Sequence, residues 1–294
     1  MDPSIGYTRR TAPTAVIRVH RDSISRDRDR LAAEEPLQIR MSAGRESCQV
    51  AVTMRTPGND FELTAGFLFS EGLIRSFDDI MRISYCSRLP IEERYNAVSL
   101  ELRSQKIPTL EGIGRQGVMS SACGVCGQRT IKDLAERGVE IVRSKLDVPE
   151  NLLLDLPHRL REKQQVFEST GGLHAAGLFS PDGRVEVVRE DVGRHNALDK
   201  LVGWSLLQGR FPLDNKILML SGRVSYELVA KAAVAGIPII AAVSAPSSMA
   251  VSLAKSFGIT LAGFVRKGSF NLYTHPERVR FRDDIPSVPS KVTA

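Results

Sequence analysis

From Pro36 the chain falls into regular alternation. Pro36-Leu37-Gln38-Ile39-Arg40-Met41 puts an apolar side chain at every second position, Ser42-Ala43-Gly44 turns, and Cys48 to Met54 alternates again. A period of two marks strands with one buried face, so the pattern predicts a hairpin. Thr56-Pro57-Gly58-Asn59-Asp60 then reads as a turn and a helix start, and Phe61, Leu63, Ala65, Phe67 and Leu68 predict a short apolar helix ending near Gly72. A strand over 96–102 completes a small α+β unit. Residues 103–118 carry three Gly, one Pro and little periodicity, which places a domain boundary there.

The second half changes period. Helices are predicted over 128–137 and over 152–168, the latter interrupted near Pro157. Residues 173–179, the turn Ser180-Pro181-Asp182-Gly183 and residues 184–189 predict a second hairpin. Helix 194–207, strand 216–220, helix 226–235, strand 237–243, helix 249–257 and strand 259–265 follow, with Gly236 and Gly258 closing two helices. Apolar strands alternating with helices imply parallel strands covered on both faces. The fold class expected is therefore α/β, a three-layer α/β/α sheet with one antiparallel edge, beside a smaller N-terminal α+β domain. The ends carry less pattern. Residues 1–14 read as a flexible tail, Arg21 to Arg30 as a mixed-charge solvated loop or helix end, and 287–294 as another tail, leaving domains over 15–118 and 119–286.

Length and composition agree with two cores. The 294 residues suffice for two domains, and 42% hydrophobic with 25% charged residues is ordinary globular usage that excludes wholesale disorder. The longest apolar run, Ile237 to Val243, falls far short of the roughly 20 residues a membrane-crossing helix needs. No apolar stretch follows Arg9-Arg10, so no secretory or twin-arginine signal is read and a cytoplasmic location is expected, with no membrane partner. A net charge of +6 favours an anionic partner, and the aromatics are not interleaved with basic residues, which argues for a small molecule and against nucleic acid.

Candidate chemistry gathers at strand ends. Ligands of open α/β sheets bind beyond the carboxyl ends of the strands. Here those ends read Ser221-Gly222-Arg223, Ser244-Ala245-Pro246-Ser247-Ser248 and Arg266-Lys267-Gly268-Ser269. Glycine permits close approach, helix N-termini offer N–H groups, and Arg or Lys neutralises charge, a combination suited to phosphate. Any one loop alone reads equally as a cap and a turn. Three at one edge predict an anionic pocket, with Glu190-Asp191-Val192-Gly193-Arg194-His195-Asn196 facing the same way. Asp191 could instead cap the next helix, and His174, inside an apolar strand, reads first as a core histidine.

The sharpest signal is Cys123-Gly124-Val125-Cys126-Gly127. Two thiols three apart at a turn entering a helix can be deprotonated by the helix N-terminus, and each can trap a sulfur species made on the other. Three readings remain open. A zinc site needs four ligands and no second CxxC or paired His is present. A thioredoxin-type dithiol follows a strand, whereas this one follows a Gly-rich stretch. A thiolate that accepts sulfane sulfur as a persulfide is the third. The other two cysteines, Cys48 and Cys86, are expected to be buried fillers.

Ser121 to Gly127, Thr170-Gly171-Gly172-Leu173-His174-Ala175-Ala176, Glu190 to Lys200, Ser221-Gly222-Arg223 and Val243 to Ser248 together resemble the FdhD family of formate dehydrogenase accessory proteins, as do Ala51 to Gly58 and Glu71-Gly72. The resemblance spans roughly 34–280. It implies a cytidine-deaminase-like fold for 119–286 and a sulfur carrier, a sulfurtransferase that takes sulfur from a cysteine desulfurase. The acceptor it implies is the molybdenum cofactor, Mo-bis-molybdopterin guanine dinucleotide, handled as bound substrate before insertion into formate dehydrogenase. Carried over, Cys123 is the persulfide-bearing residue and Cys126 its partner. The family's cofactor-binding stretch falls on Phe264, Val265, Arg266, Lys267, Gly268 and Ser269, though members often carry a second basic residue where this chain has Ser269. His195, Asn196 and Arg223 join them as cofactor-binding candidates, with a GDP-like nucleotide end as the ligand. No metal of its own is expected, because His195-Asn196-Ala197 and Ser221-Gly222-Arg223 stand where a deaminase has His-x-Glu and its zinc cysteines. A homodimer is expected. The alternatives are a zinc-dependent nucleotide deaminase-like hydrolase and a binding chaperone without sulfur transfer.

Overall fold

The computed structural model describes residues 10–86, 94–108, 118–119 and 131–282. Its first elements lie where the apolar pattern is weakest. Strands β1 (Thr11–His20) and β2 (Ser23–Ala32) pair antiparallel as a two-stranded ribbon closed by Arg21 and Asp22. The tail expected over 1–14 and the loop or helix end expected over 21–30 are therefore corrected for residues 11–30, while 1–9 and 287–294 lie outside the described residues. Most of the ribbon is exposed, so no face has to be apolar and Arg, Asp and Ser occupy strand positions as readily as Ile and Val.

Strong alternation builds what it predicts. β3 (Glu35–Ala43) and β4 (Glu46–Arg55) form the first hairpin, and α1 (Asp60–Ser70) follows. With β5 (Ile80–Tyr85), β6 (Ala97–Leu102) and the short β7 (Val118–Met119) they make a sheet ordered β5-β6-β3-β4-β7. Leu37, Ile39 and Met41 are fully buried, each burial stabilising by about 1.5–3 kcal/mol. Cys48 and Cys86 are only part-buried, which corrects their reading as buried fillers.

After α2 (Ile131–Glu136) and β8 (Val148–Pro149), α3 (Glu150–Arg161) runs straight through Pro157. Leu153, Leu156 and Leu160 bury their side chains against the second sheet, and that packing outweighs one lost helical hydrogen bond. The break comes instead at residues 162–164, before α4 (Gln165–Thr170).

β9 (His174–Phe179) and β10 (Val185–Asp191) form the second hairpin. Then α5 (Arg194–Leu207), β11 (Ile217–Leu220), α6 (Tyr226–Val234), β12 (Ile239–Ala242), α7 (Ser248–Ser256) and β13 (Thr260–Arg266) alternate. The sheet continues to β14 (Ser269–Thr274) in the order β10-β9-β11-β12-β13-β14, while β15 (Val279–Arg280) pairs with β8. β11, β12 and β13 are parallel, but both flanks are antiparallel, a correction to the single antiparallel edge expected. Helices cover both faces. Ala176, Leu178, Leu218, Leu220, Ile240 and Ala242 cluster with α5, α6 and α7, whereas Ala175, Phe179, Ile217, Met219 and Ile239 cluster with α3.

The two sheets share one core. α1 and α5 belong to the same apolar cluster and cross at two glycines: a Cβ on Gly66 would lie 1.8 Å from the Asp199 carbonyl oxygen, and one on Gly203 1.8 Å from that of Glu62. Only glycine allows backbones so close.

Candidate functional site

The carboxyl ends of β11, β12 and β13 are stitched into one edge. Val224 N–H donates to the Ala245 carbonyl, Ser247 N–H to that of Val224, and Phe264 N–H to that of Ser244, at 3.1, 2.9 and 3.2 Å. Two serines of these loops are spent on structure. Ser221 Oγ accepts from Ala175 N–H at 2.8 Å, tying β9 to β11, and Ser247 Oγ caps α7 by accepting from Ala250 N–H. Ser225 behaves differently: it holds the N-cap position of α6 without a side-chain cap bond, and its hydroxyl lies 3.2 Å from His195 Nε2.

His195 and Asn196 occupy the first turn of α5 and do separate jobs. Asn196 is buried; its amide donates to the Met54 carbonyl at 2.8 Å and to Asp191 Oδ1 at 3.1 Å. It joins the end of β4 to the start of α5. His195 instead points to α6, with Glu227 Oε2 3.9 Å from Nε2. The imidazole beside it, more than burial, sets the Glu227 carboxyl, which is lowered to about 2.

Beneath them lies a buried ion pair. Lys200 Nζ sits 2.7 Å from Asp191 Oδ2, both side chains at 0% exposure, and donates to the Thr56 carbonyl at 2.8 Å. Asp191 also accepts from Thr56 N–H and from Gly193 N–H, while Thr56 Oγ1 accepts from Val192 N–H. Burial pushes the Lys200 ammonium below its usual value, with Asp191 opposing. The pair fixes the peptide immediately before Arg194 and His195. Sequence reading gave Lys200 no part, although a charged Asp199-Lys200 pair inside the apolar run Ala197 to Val202 was the signal available.

Basic groups crowd the edge above. His174 opens β9 under the Gly222 backbone; a Cβ there would lie 3.1 Å from His174 Nδ1, so glycine makes room for the ring. Burial, then Arg194 and His195, hold its imidazole below the usual histidine value, leaving it uncharged at neutral pH. Arg223 is exposed, and among the described residues nothing accepts from the buried Nε of Arg194. A buried guanidinium nitrogen without an acceptor is costly unless a ligand supplies one. His174, His195, Arg194 and Arg223 thus meet at one end of the sheet.

The 264–269 stretch lies two strands further along. Phe264 is half-buried with φ 52°, a left-handed backbone that costs a non-glycine residue about 1–2 kcal/mol, and Arg266 stacks over its ring with Cζ 5.8 Å from the centroid. Val265 points into the core with Ala262 and Phe179, while Arg266, Lys267, Gly268 and Ser269 are exposed at the β13–β14 turn. Cys123 and Cys126 lie outside the described residues. Among the described residues no three His, Cys, Asp or Glu side chains converge to hold a metal ion, and no helix is long and apolar enough to cross a membrane.

The sequence model of the FdhD/NarQ family matches residues 32–280. The chain belongs to the FdhD/NarQ family. It is similar to proteins named sulfur carrier protein FdhD from Streptomyces coelicolor, 46% identical over 91% of this chain and 95% of the relative, and from Sulfurisphaera tokodaii, 43% identical over 90% and 97%. A solved structure from Desulfotalea psychrophila, described as a formate dehydrogenase accessory protein, superposes with a TM-score of 0.70 at 26% identity, covering 92% of this chain and 99% of that one.

Proposed function

We propose that this chain is a sulfur carrier in formate dehydrogenase maturation, with Cys123 as the carrying thiol and the strand-end edge as the seat of a phosphate-bearing cofactor. The family and the names of its relatives support the carrier role. The observation that carries the cofactor half is the buried Arg194 Nε lacking an acceptor among the described residues, beside Arg223 and two histidines. The cofactor is Mo-bis-molybdopterin guanine dinucleotide, bound as substrate by a pocket of cytidine-deaminase type.

The chemistry balances with two thiols. Cys123 thiolate attacks the terminal sulfur of a persulfide on a cysteine desulfurase, the donor cysteine leaves as thiolate, and Cys123 holds one sulfane sulfur. Attack of Cys126 thiolate on the Cys123 sulfur then expels the terminal sulfur as hydrosulfide. The two thiols are oxidised to a disulfide, and the sulfane sulfur takes up their two electrons. The hydrosulfide passes to the molybdenum of the substrate, and an external thiol reductant restores the pair. At the edge, Arg194 and Arg223 neutralise phosphate, and the uncharged His174 offers a lone pair or one N–H to the nucleotide end.

Intact-protein mass spectrometry tests the carrier step. After incubation with a desulfurase and cysteine the wild type gains about 32 Da, one sulfur atom as a persulfide. Cys123→Ala abolishes the gain, and Cys126→Ala keeps it but stalls release. A Cys123→Ala protein that loads and delivers sulfur as the wild type does overturns the assignment.

A further inference from the structure

The β1–β2 ribbon lies before or at the margin of the stretch the family model matches, and it has two unlike faces. In register, Pro13, Ala15, Ile17 and Val19 stand opposite Arg30, Arg28, Arg26 and Ile24 on one face. Ile17, Val19 and Ile24 are 66%, 72% and 74% exposed, far more than a soluble surface ordinarily leaves to clustered β-branched residues. On the other face Arg18 is paired with Asp27 at 2.6 Å and with Asp29 at 4.0 Å. Arg26, Arg28 and Arg30 have no such partner among the described residues. Their side chains repeat every second residue, about 7 Å apart.

The edge of β2 is partly blocked to another strand. Asp27 accepts from Arg28 N–H at 2.7 Å and Asp29 from Arg30 N–H at 2.9 Å, so two of the donors an added strand would use are taken. What remains open is the face. At its base the ribbon sits beside the strand-end edge: Ala32 Cβ lies 3.5 Å from where a Cβ on Gly172 would be, two residues before His174.

We infer that this face is a docking surface for an acidic amphipathic helix of another protein, laid along the ribbon with apolar side chains on Ile17, Val19 and Ile24 and carboxylates against Arg26, Arg28 and Arg30. Spacing supports the match. Glu at i, i+4 and i+8 on a helix recurs every 6 Å or so, near the arginine repeat. Charge argues against a second copy, because the same face laid β2 on β2 opposes arginine to arginine and laid β2 on β1 seats the arginines on Pro13, Ala15 and Ile17 with no carboxylate to meet them. The ribbon strands hold no aromatic residue and carry Asp27 and Asp29 behind the arginines, which disfavours nucleic acid.

The test titrates a synthetic helical peptide, Leu on one face and Glu at i, i+4 and i+8 beside it, into the intact protein by fluorescence anisotropy. Wild type binds, and more weakly as salt rises. Arg26→Glu/Arg28→Glu/Arg30→Glu weakens binding about tenfold or more and gains affinity for the matching Lys–Leu peptide. Its melting temperature stays at the wild-type value, since the ribbon is outside the shared core. Ile17→Ser/Ile24→Ser, with every charge kept, weakens the Glu peptide as well. Four results overturn the inference: no binding of the Glu peptide to wild type, equal affinity in the arginine variant, tighter binding of phosphatidylserine vesicles through the same arginines, or a dimer that the arginine substitutions dissociate.

Discussion

At the scale of single residues, Lys200 decides more than its position in a helix suggests. Its ammonium and the Asp191 carboxylate are both buried, so removing one leaves the other charged in a dry site. Lys200→Met is expected to cost about 3–5 kcal/mol, read from urea midpoints, whereas Lys200→Met with Asp191→Asn recovers part of the loss. A single variant as stable as wild type would show the pair to be idle. The two neighbours on α5 show why residue roles were only half legible. The sequence put His195 and Asn196 on the same polar turn, but a one-residue step on a helix rotates the side chain by about 100°, enough to send one to Ser225 and the other to the Met54 carbonyl.

Among elements, the crossing of α1 and α5 brings two helix backbones together at Gly66 and Gly203. Replacing glycine by alanine within a helix ordinarily gains about 1 kcal/mol in propensity. At Gly66 the added methyl meets the Asp199 carbonyl, a backbone atom that cannot swing away, so overpacking of about 1–3 kcal/mol or more should reverse the sign. Gly66→Ala is thus expected to lower the urea midpoint, and a rise would show that the helices separate freely. Elements whose burial sets the pattern were readable: β3 and β4, with alternating buried positions, and α5 and the β11–β13 run, buried on more than one side, start and stop within a few residues of their expected limits. The elements that escaped are those whose burial does not set the pattern. β1 and β2 bury almost nothing, and in β14 only Phe270, Leu272 and Thr274 turn inward, too short an alternation to stand out.

For the whole molecule, ligand binding and stability are one equilibrium. If the strand-end edge holds the guanine nucleotide end of a cofactor, GDP at 100 times its dissociation constant stabilises the folded state by about 2.7 kcal/mol. Differential scanning fluorimetry should therefore show a rise in melting temperature with GDP that shrinks in Arg223→Ala and in Arg266→Ala. No shift at saturating GDP, or a shift in both variants as large as that of the wild type, would count against the pocket. Strand-end loops could be placed from sequence because sheet topology alone brings them to one edge, but the distance between Arg223 and the 264–269 turn depends on strand order, which periodicity does not encode.

The glycine crossing reaches beyond the two helices that make it. Since α1 presses its backbone onto α5 inside a common apolar cluster, neither sheet keeps a finished interior once the other is gone. The molecule must therefore lose its native structure in one cooperative step, and a cut between the halves would yield two aggregation-prone fragments instead of two modules.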